Sequence, residues 1–350
     1  MPSATAAPAL PGERWLPRAG SALVVRLSAL GDVLFALETV AALARERPDV
    51  QVDFLVEDRF ASLLAGHPQL REVIVYPRAN TAAIGKSLWA LRKRRYDVVL
   101  DVHGILKSAM HVFCVRSPCK VGPAAPGSRE GAQRAYGTVV PMPTPVPHRA
   151  DIGHRLLAAI GLSGTPTPPL LAVPPPPAGL LPGERARRVL LYPGTSAWAA
   201  FKRWPVERFA ALTRRLVARG LPVFAGFGPG ERELAAPLLA AGALPVDGAT
   251  LGLLGLGGVL RECAVAVAAD TGPLHLAAAV GARCVALFGP KDEARYGPRG
   301  HGGVQHEVLF APTPCRPCKR RTCVTPQCVL GIGLDDVESA VLRQLAAVRA

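Results

Sequence analysis

The decisive stretch is residues 264–289, AVAVAADTGPLHLAAAVGARCVALFG. It opens with an apolar run, Ala264-Val265-Ala266-Val267-Ala268-Ala269, that lacks the alternation of a half-exposed strand. Such a run suits a strand buried on both faces, as in a parallel sheet covered by helices. It breaks at Asp270-Thr271-Gly272-Pro273-Leu274-His275, continues as an apolar segment to Gly281, and ends in a second buried run, Cys284-Val285-Ala286-Leu287-Phe288. The reading is strand, polar turn, helix, strand. Pro favours the first helical position, so a helix is expected from Pro273 with Gly272 as its cap. His275 then falls in the first turn, near backbone N–H groups that lack intrahelical partners and can hold a phosphate. The plainer alternative is an ordinary strand-to-helix turn with a capping Asp.

A chain of 350 residues suggests two domains. With 49% hydrophobic and 19% charged residues, there is ample material for buried sheets. No apolar run is long enough to cross a membrane. Residues 1–20 lack a basic start followed by an apolar block and read as a disordered leader, with the cytoplasm as the default location. The formal net charge of +15 suggests an acidic partner: a nucleotide, a nucleic acid or an anionic membrane surface. Aromatics at 5% argue against stacking platforms for single-stranded nucleic acid.

The first half alternates strand and helix. Ala22-Leu23-Val24-Val25-Arg26-Leu27 reads as a strand, followed by Ser28-Ala29-Leu30-Gly31-Asp32 and a helix with apolar positions Leu34, Leu37, Val40, Ala41 and Ala44. Further strands are expected at 50–56, 73–76 and 98–102, with helices between them. This grammar means a doubly wound parallel sheet. Regularity fails over 116–148, a basic stretch rich in Gly and Pro, of a kind that is usually functional or mobile. Residues 163–184 carry eight prolines and read as a stiff linker between domains. A second alternating series follows from Arg188, so two doubly wound domains are expected to face a central cleft.

Three loops of the second series fall at carboxyl ends of strands: Gly194-Thr195-Ser196, Gly228-Pro229-Gly230-Glu231 and Asp270-Thr271-Gly272-Pro273. Small residues admit a ligand, hydroxyls donate to phosphate, and a carboxylate accepts from ribose. With Lys202 as a cation, these loops describe a nucleotide-diphosphate site without a Walker motif. Asp32 reads either as a helix N-cap or as a general base. Lys107 and Ser128-Arg129-Glu130 lie in or before the irregular segment and read as a solvated surface. Cys315, Cys318, Cys323 and Cys328 lie close enough in sequence to wrap one zinc ion, or less readily an iron–sulfur centre; the alternative is free thiols on a surface loop. Basic neighbours, including Arg316, Lys319, Arg320 and Arg321, would lower their thiol pKa values.

Three segments in order resemble glycosyltransferase family 9, the ADP-heptose:lipopolysaccharide heptosyltransferases. They are Val24-Val25-Arg26-Leu27-Ser28-Ala29-Leu30-Gly31-Asp32-Val33, Gly194-Thr195-Ser196 with Lys202-Arg203-Trp204-Pro205, and Asp270-Thr271-Gly272-Pro273-Leu274-His275. The resemblance covers about residues 21–350. Asp101-Val102-His103-Gly104-Ile105-Leu106-Lys107-Ser108-Ala109 and the later Arg129-Glu130 look like type I members, and the cysteine-rich tail like type II.

The resemblance implies a GT-B fold, with an acceptor domain at 21–162 and a donor domain at 185–330 carrying a cysteine loop at 315–328. It also implies a final helix at 331–350 that packs back on the first domain. It implies inverting transfer of heptose from ADP-L-glycero-D-manno-heptose to the Kdo/heptose inner core at the inner-membrane surface, with Asp32 as base and Lys202 stabilising the leaving diphosphate. Thr195, Ser196, Glu231, Asp270, Thr271, Gly272 and His275 would bind the donor, and Lys107 and Arg129 the acceptor. No cofactor for the chemistry and no nucleic-acid partner are implied. Ala200 and Phe201 stand where a polar residue could touch the sugar, which leaves room for another nucleotide sugar in capsule or O-antigen synthesis. A noncatalytic nucleotide-sugar-binding protein is the reading from a different class.

Overall fold

The computed structural model describes residues 16–318, 320 and 322–349. Most of the expected leader, 1–15, lies outside them. Residues 16–20 belong to the fold: Leu16 is buried, and Arg47 donates to the carbonyls of Leu16 and Pro17 at 2.6 and 2.8 Å. The chain divides into two compact units between Leu170 and Leu171.

The first unit runs β1 (Ser21–Val25), α1 (Leu30–Glu46), β2 (Gln51–Glu57), a short α2 (Asp58–Ala61), β3 (Glu72–Tyr76), α3 (Thr81–Arg92), β4 (Val98–Asp101), α4 (Leu106–Cys114), β5 (Cys119–Pro123), β6 (Thr138–Val140) and α5 (Arg149–Ala159). Its six strands pair in parallel in the order β3-β2-β1-β4-β5-β6.

The second unit runs β7 (Val189–Tyr192), α6 (Val206–Ala218), β8 (Val223–Phe227), α7 (Arg232–Ala240), β9 (Leu244–Asp247), α8 (Gly248–Arg261) and β10 (Val265–Ala269). It continues with α9 (Gly272–Ala279), β11 (Arg283–Leu287), α10 (Glu293–Tyr296), β12 (Glu307–Leu309), α11 (Gln327–Leu330) and α12 (Leu334–Arg349). The strand order is β12-β11-β10-β7-β8-β9, again parallel throughout.

Counted from its own first strand, each sheet has the order 3-2-1-4-5-6. The order reverses beside the first strand, and ligands bind outside the carboxyl ends at that point. In the first unit the point lies between β1 and β4; in the second, between β7 and β10. Every residue of β10 is buried, as its unalternating sequence requires. Helix α9 starts one residue earlier than expected. Thr271 is its cap and Gly272 its first residue. Pro273 still falls among the positions whose N–H has no helical partner, so the ring costs no hydrogen bond.

The irregular segment 116–148 contains two strands that its composition hides. β5 reads Cys-Lys-Val-Gly-Pro, and Gly122 is required there because a Cβ would fall 2.2 Å from the Tyr136 ring. The prolines at 163–184 do not form a free linker. Ser163 is bonded to Glu46 and the Leu170 carbonyl to His67 Nε2 on the first unit, while Val173 is buried in the second and its carbonyl accepts from Arg261.

The apolar residues Val337, Ala340, Val341 and Leu345 of α12 join the core of the second unit, with Trp204, Phe209 and Leu212. Burying three such large side chains stabilises this seat by about 5–9 kcal/mol. Arg215 and Arg219 pair with Glu338 along the same seam, each at 2.9 Å.

Candidate active site

At the first switch point, β1 ends and the chain reaches Asp32 through Arg26-Leu27-Ser28. The cap of α1 is Ala29, so Asp32 sits inside the first turn and its carboxylate does not serve as the helix cap. It is clamped between two guanidinium groups. Oδ2 pairs with Arg26 Nη2, and Oδ1 with Arg149 Nε at 3.1 Å. Arg26 is buried and also donates to the carbonyls of Ser28 and Val102, both at 2.9 Å. One side chain therefore ties the ends of β1 and β4 to the carboxylate.

Burial works to raise the Asp32 carboxyl, but the Arg26 and Arg149 charges outweigh it and hold the group well below the ordinary carboxylate range. Burial lowers the Arg26 guanidinium to about 10 against the pull of Asp32, so it stays charged at neutral pH. His103, after β4, is pushed far below its ordinary value by burial and then by Arg26. It is neutral, and its Nδ1 accepts from the Leu27 N–H at 3.4 Å, which leaves its proton on Nε2. Asp101 anchors this loop by accepting from Tyr136 Oη at 2.7 Å and from the N–H groups of His103 and Gly104.

At the second switch point, Lys202 Nζ donates to Asp270 Oδ2 at 2.6 Å, and His275 Nε2 lies 3.6 Å from Asp270 Oδ1. All three are largely buried. Burial alone would raise Asp270; hydrogen bonding from His275 and the Lys202 charge overcome it and hold the carboxyl below its ordinary value. Lys202 reaches this position because Trp204, two residues on, is a buried anchor. Its indole N–H donates to the Ile332 carbonyl at 3.0 Å, and its ring packs edge-on to Phe209.

The expected donor residues divide by role. Thr195 is buried, and its hydroxyl serves the loop itself: it donates to the Ala199 carbonyl at 3.2 Å and accepts from Arg203 Nε at 2.9 Å. Ser196 beside it is exposed. Thr271 donates to the Ala269 carbonyl at 3.1 Å while capping α9 with its backbone. Glu231 stands at the carboxyl ends of β7 and β8, where Oε2 accepts from Tyr192 Oη and from the Gly228 N–H, both at 2.9 Å. Oε1 accepts no bond among the described residues. Gly194 makes this possible, since a Cβ there would lie 2.3 Å from the Glu231 carboxylate.

Of the two expected acceptor residues, Lys107 lies 3.6 Å from the buried Glu57 carboxylate and Arg129 is exposed. The Arg129 charge adds to the depression of His103. Cys328 is buried on α11, 3.8 Å from where a Gly289 Cβ would lie, while Cys315 and Cys323 are exposed. Among the described residues, no group of three or more His, Cys, Asp or Glu is disposed to hold a metal ion. Lys319 and Arg321, expected to tune these thiols, lie outside the described residues.

Sequence reasoning missed Arg26, Arg149, His103, Arg203 and Tyr192. Arg26 carried a signal, as a charge at the end of an otherwise apolar strand. Arg149 carried none, because it arrives from 117 residues away.

Two doubly wound units, each with its polar groups at the strand-order reversal, have the architecture of the GT-B class. Residues 84–329 match the model of glycosyltransferase family 9 (heptosyltransferase), and the chain belongs to that family. It is 32% identical over 326 residues to lipopolysaccharide heptosyltransferase 1 of Pseudomonas aeruginosa, covering 86% of each chain. It is 27% identical to the Escherichia coli K12 protein of the same name, over 81% of this chain and 91% of that one. Among solved structures, it superposes on a family 9 glycosyltransferase from Veillonella parvula with a TM-score of 0.77 at 18% identity, covering 94% and 98% of the two chains. The E. coli heptosyltransferase WaaC with ADP gives 0.74 at 23% identity, covering 93% and 99%.

Proposed function

We propose that this chain is an inverting heptosyltransferase that moves heptose from ADP-L-glycero-D-manno-heptose to the Kdo/heptose inner core of lipopolysaccharide. The observation that carries the reading is the pair of complementary switch points. One presents a carboxylate held ionised, and the other a buried lysine beside a helix start. The names of the relatives point to the same substrates, and one E. coli WaaC structure is titled with ADP-2-deoxy-2-fluoro heptose.

In this reading, Asp32 accepts the proton of the acceptor hydroxyl as that oxygen attacks the anomeric carbon. A clamped carboxylate is a weak base towards a ground-state alcohol. The alcohol becomes far more acidic as its C–O bond to an oxocarbenium-like carbon forms, so the proton moves late and a weak base is adequate. The two arginines fix which lone pairs face the hydroxyl. ADP leaves from the opposite face. Lys202 and the N-terminal N–H groups of α9 meet the charge that grows on the diphosphate, which is stabilisation realised in the transition state. Glu231 Oε1 takes a ribose hydroxyl. Arg129 and Lys107 meet the anionic groups of the acceptor.

A second reading, transfer of another nucleotide-activated sugar, is favoured by Ala200 and Phe201, which offer no side-chain hydrogen bond beside Lys202. The deciding experiment offers the purified protein a panel of nucleotide sugars with a Kdo-containing acceptor and measures nucleotide release. Turnover with ADP-heptose alone supports the proposal. Turnover with UDP- or GDP-sugars and none with ADP-heptose overturns it.

A further inference from the structure

Helix α4 is apolar on both sides. Its inner face, Ala109 and Val112, is buried in the core of the first unit. Its outer face carries Leu106, Met110 and Phe113 at helical spacing, 52%, 49% and 74% exposed. A surface helix ordinarily turns polar residues outward, so this second stripe calls for a reason. Beside it, Trp89 of α3 is 62% exposed, and a groove of about 390 Å³ runs between Leu88, Met110, Phe113 and the turn at 132–135.

The surroundings of the stripe are cationic. Lys93 Nζ sits 3.6 Å over the Trp89 ring, and Lys120 Nζ donates to the Phe113 carbonyl at 3.1 Å. Arg134 lines the groove. Arg95 and Arg116 are neighbours in a backbone bridge. Among the described residues, none of these five cations has a carboxylate partner. The groove's one acid, Glu130, accepts from the Leu106 N–H at 3.2 Å.

We propose that this face docks on an anionic lipid bilayer, with Phe113, Met110 and Leu106 entering the acyl region and the lysines and arginines resting on the headgroups. Large apolar side chains ringed by unneutralised cations are complementary to that surface and to no neutral one. A protein partner would need carboxylates around an apolar plug, whereas a bilayer supplies both layers at once. The inference deepens the lipid-linked acceptor reading, because it would deliver the first unit to its substrate; its test needs no acceptor.

The test is flotation of the full chain with vesicles of phosphatidylethanolamine and phosphatidylglycerol, against vesicles of phosphatidylcholine alone. Binding to the anionic vesicles only is expected, weakening as salt rises. Phe113→Ser with Met110→Ser should lower the partition coefficient by at least about tenfold, from the apolar area withdrawn. Lys93→Glu with Lys120→Glu should lower it by about fivefold or more for each position. Lys93, Met110 and Phe113 are exposed and Lys120 is half-buried, and an unchanged melting temperature for each variant excludes misfolding. Failure of the wild-type chain to bind anionic vesicles overturns the proposal. So does equal binding by the Phe113→Ser, Met110→Ser variant, or a wild-type dimer that this variant converts to monomer without any vesicle binding. If transfer to heptose acceptors fails while vesicle binding and its variants behave as described, only the substrate reading falls.

Discussion

Replacing Asp32 by Asn tests clamp and chemistry together, because the structure gives this carboxylate both. As a clamp, it neutralises Arg26 and Arg149 in a site where its side chain is only 23% exposed. Removing one partner of a buried pair costs about 3–5 kcal/mol, and partial exposure favours the lower figure. At about 3 kcal/mol, the melting temperature of the first unit falls by roughly 6–12 °C. As a base, Asp32 is worth at least about a hundredfold in turnover, or about 2.7 kcal/mol of barrier. An activity loss alone is therefore ambiguous, and a double-mutant cycle separates the roles. In an Arg149→Met background only one ion pair remains, so Asp32→Asn should cost roughly half as much stability, about 1.5 kcal/mol. The turnover loss should stay the same size. Melting curves and single-turnover rates at saturating donor, measured well below the lower melting temperature, read the two quantities. The folded carboxyl lies below its unfolded value, so its stabilisation is present above the ordinary carboxylate range and is lost as pH falls through the folded value. Arg149→Met should move that acid loss to higher pH. A folded Asp32→Asn protein with turnover within about tenfold of wild type would refute the base and leave only the clamp.

Lys202→Met should lower turnover by about a hundredfold or more while weakening ADP binding far less, since its charge is needed most as the diphosphate departs; equal losses in both would assign it to ground-state binding. Gly194→Ala should abolish donor binding without unfolding the chain, because the new Cβ displaces the Glu231 carboxylate 2.3 Å away, and Glu231→Gln should show a milder loss of about tenfold or more by calorimetry. Alkylation under native conditions should label Cys315 and Cys323 quickly and spare Cys284 and Cys263, the latter pushed up to about 12 by burial. Elemental analysis finding one equivalent of zinc, with Cys315 and Cys323 protected, would instead assemble the cysteine shell.

The strands of both sheets were legible where they are long and buried, because an apolar run without alternation has few other uses. The two switch-point loops were legible for a related reason: polar residues directly after such runs have to stand at the carboxyl edge of the sheet. What escaped was built from distant or disguised pieces. β5 contains Gly122, which close packing against Tyr136 demands, followed by Pro123, and β6 is only three residues long, so their local pattern reads as loop. Thr195 was legible as a site residue but not in its role. Its hydroxyl is taken by Arg203 and Ala199, a pairing that depends on how the 193–205 connection folds on itself. The seat of α12 was not legible, because an amphipathic helix declares that it has an apolar face, and not which core that face completes.

The two switch points share a topology and differ in charge, and the difference follows the proposed reaction. In the second unit, Lys202 and Asp270 neutralise one another at 2.6 Å, so the lysine can be buried without an unpaired charge. An arriving diphosphate then finds a cation already positioned, and needs only to compete with one carboxylate. In the first unit the balance is reversed: one carboxylate faces Arg26 and Arg149, with Arg129 nearby, so the loop keeps a positive surplus. That surplus suits an acceptor that carries carboxylates or phosphates, and it explains why Asp32 cannot be a strong base. A strong base would have to shed its arginines, and with them the field that draws an anionic acceptor to the hydroxyl-bearing position. The arrangement favours holding the acceptor over activating it in advance, and it leaves activation to the bond-forming step itself. On this argument, a neutral acceptor analogue should lose binding first, and its rate at saturation should change little.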